Sequence, residues 1–183
     1  MSETLSKALV FTILRHAEDF PWRMQDIGLM GLRLDDQREH RIHVWDPSYS
    51  EGDPPIHDHP YDFTSIVIAG ELTNSRYVED PAGDEYIRFR YSLATEDQRW
   101  SDTAQLSATS ESVAEGGEYH QLADELHASW PLPGTVTAMR CSWGEPRELT
   151  VCLRDESSWR SGQARTATRE EVKVFTAKAL ERF

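Results

Sequence analysis

The chain is poor in basic residues, in cysteine and in long apolar runs, and each shortage removes a class of function. It carries 19 lysines and arginines against 32 aspartates and glutamates, a formal net charge of −13 at neutral pH. Nucleic-acid binding needs runs of cations to displace counterions from phosphates, and no such run occurs, so nucleic acid is not an expected partner. No stretch approaches the roughly 18 apolar residues of a membrane span, so a membrane partner is not expected either. The first ten residues have no basic region ahead of an apolar run, and a secretory signal is not expected. The two cysteines, Cys141 and Cys152, are too few for a disulfide framework and could meet only from neighbouring strands. A reduced, cytoplasmic setting follows as the expectation. No glycine-rich phosphate loop and no Gly-x-Ser-x-Gly elbow is present, so neither a nucleotide site nor a serine-hydrolase triad is supported.

What remains is enough for one domain. The 183 residues are 38% hydrophobic and 10% aromatic, sufficient to bury a core. A helix is expected over 3–18, where Leu5, Leu9, Thr12 and Ile13 recur at helical spacing, and Phe20-Pro21-Trp22 ends it. A second helix is expected over 168–182. Thr168 and Glu171 form a capping box, and Val172, Phe175 and Ala179 make its apolar stripe.

Between these helices the pattern is that of short strands: 27–34, 39–46, 62–69, 71–78, 85–94, 105–113, 118–122, 126–130, 135–142 and 148–153. Each is rich in β-branched or aromatic residues and bounded by Gly, Pro, Asp or Ser. The polar stretch 92–112 reads in part as a mobile loop. Many short strands at such spacing point to an all-β sandwich or jelly roll. The expected domain is single: an N-terminal helical segment over 1–24, a β-barrel over 25–155 and a C-terminal helical segment over 156–183.

Of seven histidines, two carry a signal. In Pro54-Pro55-Ile56-His57-Asp58-His59-Pro60-Tyr61-Asp62-Phe63, His57 and His59 are two apart. On a strand such residues share a face, so two imidazoles can hold one metal, with a third ligand from a neighbouring strand. The plainer alternative is a pair of surface histidines at a loop end. The run lies between a Gly/Pro turn and an apolar strand, where a barrel mouth would place a site.

These residues resemble the first motif of the cupins, small jelly-roll barrels that hold a metal with histidines. Gly70 follows His59 by eleven positions, the distance of that motif, and Gly52 lies one position from the motif's upstream glycine. The stretch from Gly116-Gly117 to His127 resembles the second motif, with Ala123 and Glu125 where proline and glycine are usual. The resemblance spans roughly 44–140. The motif's glutamate position falls on Phe63 or Thr64, neither of which has a carboxylate, and strict alternation points the adjacent Asp62 to the other face.

The resemblance therefore implies a three-histidine site of His57, His59 and His127, with His120 as the competing third ligand. It is closest to the thiol-dioxygenase group of cupins, which hold iron(II) with three histidines. Iron(II) is the implied metal, with zinc, nickel or manganese as alternatives. That group also uses an arginine for a substrate carboxylate and a tyrosine near the metal. Arg33 and Arg41 are candidates for the first by region, and Cys141 or Met139 falls where the tyrosine would be. Asp58 and Asp62 are the nearest carboxylates to orient the rings.

Alternation over 39–45 puts Arg41, His43 and Trp45 on one face. They are substrate contacts if that face is interior, and solvated if it is not. Tyr119, beside the second motif, is a further pocket candidate. The expected function is a metal-dependent dioxygenase acting on a small polar molecule. The alternatives are a non-oxidative isomerase, lyase or hydrolase, and a non-catalytic ligand-binding cupin. A homodimer is also implied by the resemblance.

Overall fold

The structure is a computed structural model that describes residues 5–50, 52–92, 98–145, 147–155 and 164–183. It is an all-β, jelly-roll-like fold of two antiparallel sheets, with a helix near either end of the chain. Helix α1 (Lys7–Arg15) is capped by the Ser6 side chain and leads through a 3-10 turn, Ala17–Asp19. The strands are β1 (Arg23–Gln25), β2 (Ile27–Arg33), β3 (His40–Ser50), β4 (Ile56–His57), β5 (Tyr61–Ala69), β6 (Glu71–Tyr91), β7 (Gln98–Ala114), β8 (Glu118–Gln121), β9 (Leu126–Pro131), β10 (Thr135–Trp143), β11 (Leu149–Leu153) and β12 (Arg165–Thr166). Helix α2 (Arg169–Leu180) closes the chain, and both halves of the expected capping box form between Thr168 and Glu171.

The larger sheet runs β12-β1-β2-β3-β10-β5-β8, and the smaller runs β11-β4-β9-β6-β7. Strand β6 serves two neighbours. Its first residues, Leu72 to Tyr77, pair with β9, and Ile87 to Tyr91 pair with β11. Because β11 also pairs with β4, and β4 with β9, the smaller sheet curls back on itself around the short strand that carries His57.

Apolar side chains fill both faces of the larger sheet. On the outer face Ile42, Val44, Val136 and Ala138 pack with Val10, Ile13, Leu14, Val172 and Phe175 of the two helices. On the inner face Tyr61, Phe63, Val67, Tyr119, Met139 and Cys141 cluster between the sheets. Burying a side chain of this size is worth roughly 1.5–3 kcal/mol, so both helices are integral to the barrel wall. Gly134, at φ +78°, lets the chain before β10 pass under α2, where a Cβ would lie 2.6 Å from the Lys178 carbonyl oxygen.

Some expectations shift. The buried stripe of α1 is Val10, Ile13 and Leu14, while Leu9 is exposed. The strands expected over 71–78 and 85–94 are one strand, β6, as far as Tyr91. The expected loop over 92–112 is β7 from Gln98 onward, while positions 93–97, and the helix start at 3–4, lie outside the described residues. Strand β12 places two residues of the expected C-terminal helical segment in the larger sheet, against β1. The cysteines are free, buried and on different sheets: Cys141 on β10, Cys152 on β11. Among the described residues, no helix is long and apolar enough to cross a membrane.

Candidate metal centre

The chain makes its site where β4 meets β9. His57 and His127 are direct cross-strand partners, so their side chains rise from the same face of the smaller sheet. His59 follows two residues after His57, in the link to β5. One ring nitrogen of each of the three histidines lies within 4.8 Å of the others. The Nε2 atoms of His59 and His127 are 2.9 Å apart. Nitrogens that share one ion at ~2.1 Å must approach to about this distance.

Two rings are held with Nε2 facing inward. His57 Nδ1–H donates to the Pro55 carbonyl oxygen at 2.9 Å. His127 Nδ1–H donates to Asn74 Oδ1 at 3.0 Å, and Asn74 is fully buried on β6. A neutral imidazole with its Nδ1 proton engaged presents the Nε2 lone pair. His127 Nε2 is then the acceptor of the short contact, and His59 Nε2–H the donor. All three rings are held below the ordinary histidine pKa, first by burial; for His59 and His127 the neighbouring imidazoles add to this. Neutral imidazoles are the form a divalent metal requires.

The loop carrying His59 is fixed by ionic contacts on its far side. Asp58 is almost fully buried; its Oδ1 accepts from Thr150 N at 2.8 Å and its Oδ2 meets Arg147 Nη2 at 2.8 Å. Arg147 also donates to the His59 and Ala123 carbonyl oxygens. Asp62 Oδ1 accepts from Ala123 N at 2.8 Å. Both carboxylates therefore brace backbone. The ring-orienting role expected of them falls instead to the Pro55 carbonyl and Asn74, which cross-strand register brings in and spacing alone could not reveal.

The other candidate residues divide by position. His120 is exposed, with its Nδ1 3.2 Å from Thr64 Oγ1, and is not among the three clustered rings. Arg41, His43 and Trp45 face the barrel interior, on the side of their β10 neighbours Met139, Thr137 and Thr135, while Ile42 and Val44 face the helices. Arg41 Nη1 donates to Tyr61 Oη at 2.8 Å, and its guanidinium lies 4.7 Å from the Tyr61 ring centre. The Tyr61 ring in turn stacks on His59 at 5.0 Å. A tyrosine thus adjoins the histidines from β5, rather than from the positions of Met139 or Cys141 on β10 where the cupin resemblance implies one. The signal was the period of two through His57, His59, Tyr61 and Phe63. Tyr119 is buried beyond Phe63, 5.9 Å away between ring centres, and burial pushes its hydroxyl pKa up.

His43 packs edge-on to Trp45, and burial, with the charge of Arg41, pushes its pKa down to about 3. A histidine whose folded pKa lies below its unfolded value of 6.5 favours folding fully above pH 6.5 and loses that contribution as pH falls toward 3. The metal-free chain should therefore melt at progressively lower temperature as pH is lowered from 7 to 4. His43→Gln should flatten that dependence in thermal denaturation.

No protein-family model matches the chain, and no curated protein matches it.

Proposed function

We propose that the chain is a metal-dependent enzyme of the cupin type, an iron(II) dioxygenase that acts on a small polar molecule through His57, His59 and His127. The observation that carries this reading is the convergence of three imidazole rings, two of them braced through Nδ1 so that Nε2 points inward. His57, His59 and His127 would hold a divalent ion as three uncharged ligands, leaving it its full charge and open positions for Lewis-acid or redox chemistry.

The protein's own part is positioning. Arg41 is interior, beside the tyrosine that stacks on His59, and neutralises the anionic end of a substrate. His43, neutral at physiological pH, offers a hydrogen-bond donor or acceptor on the same face. Phe63, between Tyr119 and His127, keeps water from the inner side of the cluster. Tyr119 retains its proton there and acts as a donor.

Elemental analysis of protein purified without chelator, followed by oxygen-uptake assays with small thiols and related acids, tests the reading. About one iron per chain and substrate-dependent oxygen consumption are expected. Zinc, nickel or manganese in its place, with turnover that survives anaerobic conditions, would overturn the oxidative part.

A further inference from the structure

The end of the barrel that carries the histidines also gathers arginines that are far from obvious in so acidic a chain. Arg33, the last residue of β2, is the direct cross-strand partner of Arg41 on β3. Like charges placed opposite each other on adjacent strands repel, and a fold ordinarily separates or screens them. Here neither has a carboxylate partner within salt-bridge distance among the described residues, and the same holds for Arg38 in the β2–β3 turn. The turn's Asp35 is engaged elsewhere: its oxygens accept from the backbone N–H groups of Glu39 and His40 and meet the His40 ring.

Trp143, at the end of β10, ties the group together. Its ring lies 5.6 Å from the Arg41 guanidinium, and its Nε1–H donates to the Arg38 carbonyl oxygen at 3.4 Å. Arg38 adopts φ +63°, the one positive value among the described non-glycine residues. Arg41 Nε is buried with no hydrogen-bond partner. An unpaired buried donor is unfavourable, and a bound ion is one of the things that satisfies it. In keeping with this crowding, burial and the charges of Arg38, Arg41 and Arg23 hold the Arg33 guanidinium below its ordinary pKa.

We propose that Arg33, Arg38 and Arg41 form an oxyanion subsite at the barrel rim that takes a doubly charged group of the substrate, of the phosphate, phosphonate or dicarboxylate class. This deepens the metalloenzyme reading and rests on it for the subsite's place beside the reacting centre. Arg41, through Tyr61, lies next to His59, so an anion held there sits beside the three rings. A single charge would satisfy Arg41 alone; the opposed Arg33 and the neighbouring Arg38 supply the second charge's partners. Guanidinium forks match such oxygens in pairs.

Isothermal titration of the full chain, stripped of metal, with inorganic phosphate at pH 8 and with acetate at matched ionic strength tests this. Phosphate should bind wild type, about tenfold more weakly to Arg33→Gln, while the weaker acetate binding is unchanged by that substitution. Arg33 is exposed, so the variant should fold, which circular dichroism checks. Arg41→Gln should weaken both anions. No phosphate binding to wild type, or equal binding to Arg33→Gln, would overturn the subsite. Phosphate binding should persist in His57→Ala/His59→Ala; its loss there would also overturn the subsite. Metal content is read separately, so failure of the metal reading and failure of this one are distinguishable.

Discussion

His127→Ala should weaken metal binding by more than about a hundredfold, Asn74→Leu by roughly 10–100-fold, and His120→Ala not at all. Removing His127 takes one of the three converging nitrogens, leaving two ligands on one short segment. Asn74→Leu leaves all three rings in place but removes the acceptor of the His127 Nδ1 proton, in a position fully shielded from water. His120 sits outside the cluster on β8. Competition titrations against a chelator of known affinity would rank the three. Equal loss from His120→Ala and His127→Ala would assign the third ligand differently, and an unchanged Asn74→Leu would deny the ring-orienting role.

Asp58→Ala should destabilise the chain by about 2–4 kcal/mol, a large share of a domain's net stability. The substitution leaves the Thr150 N–H without its acceptor and strips Arg147 of its counter-charge. Arg147 is about one-third exposed, so water recovers part of its solvation, which keeps the expected loss below that of a fully buried pair broken on one side. Asp58→Asn preserves an acceptor for Thr150 and should cost less. Urea denaturation of the metal-free proteins measures both. A loss below about 0.5 kcal/mol for the alanine variant would mean that Asp58 does not brace the loop carrying His59.

The sequence discloses those parts of the molecule whose signals are local. The capping box of Thr168 and Glu171 marks the start of α2 because its hydrogen bonds span three residues. The histidine pair is legible because strand period alone puts His57 and His59 together. Long-range register hides the rest. Asp80-Pro81-Ala82-Gly83 has the composition of a turn that ends a strand, yet β6 runs through it as a bulge. Asp80 accepts from Ala82 N and Ser107 Oγ, and Gly83 lies so close to Leu106 that a Cβ would be 2.4 Å from its carbonyl carbon. Likewise Asn74 reaches His127, and Arg33 meets Arg41, only through pairings between distant strands.

The short contact between His59 and His127 bears on how the site would fill. Thiol or protonated-imidazole centres expel hydrogen ions when they take up a cation, so their apparent affinity tracks pH and their binding heat tracks the buffer. Here burial holds the pKa of all three rings below the ordinary histidine value, which favours the uncharged form, and His59 Nε2–H is engaged with its neighbour. A cation held by all three rings through Nε2 would require that hydrogen to pass to His59 Nδ1, a change of tautomer in which the rings themselves release none to solvent. Titration calorimetry near neutrality should then return a heat of uptake that does not follow the buffer's own ionisation enthalpy; a heat that tracks it would mean that hydrogen ions leave the site.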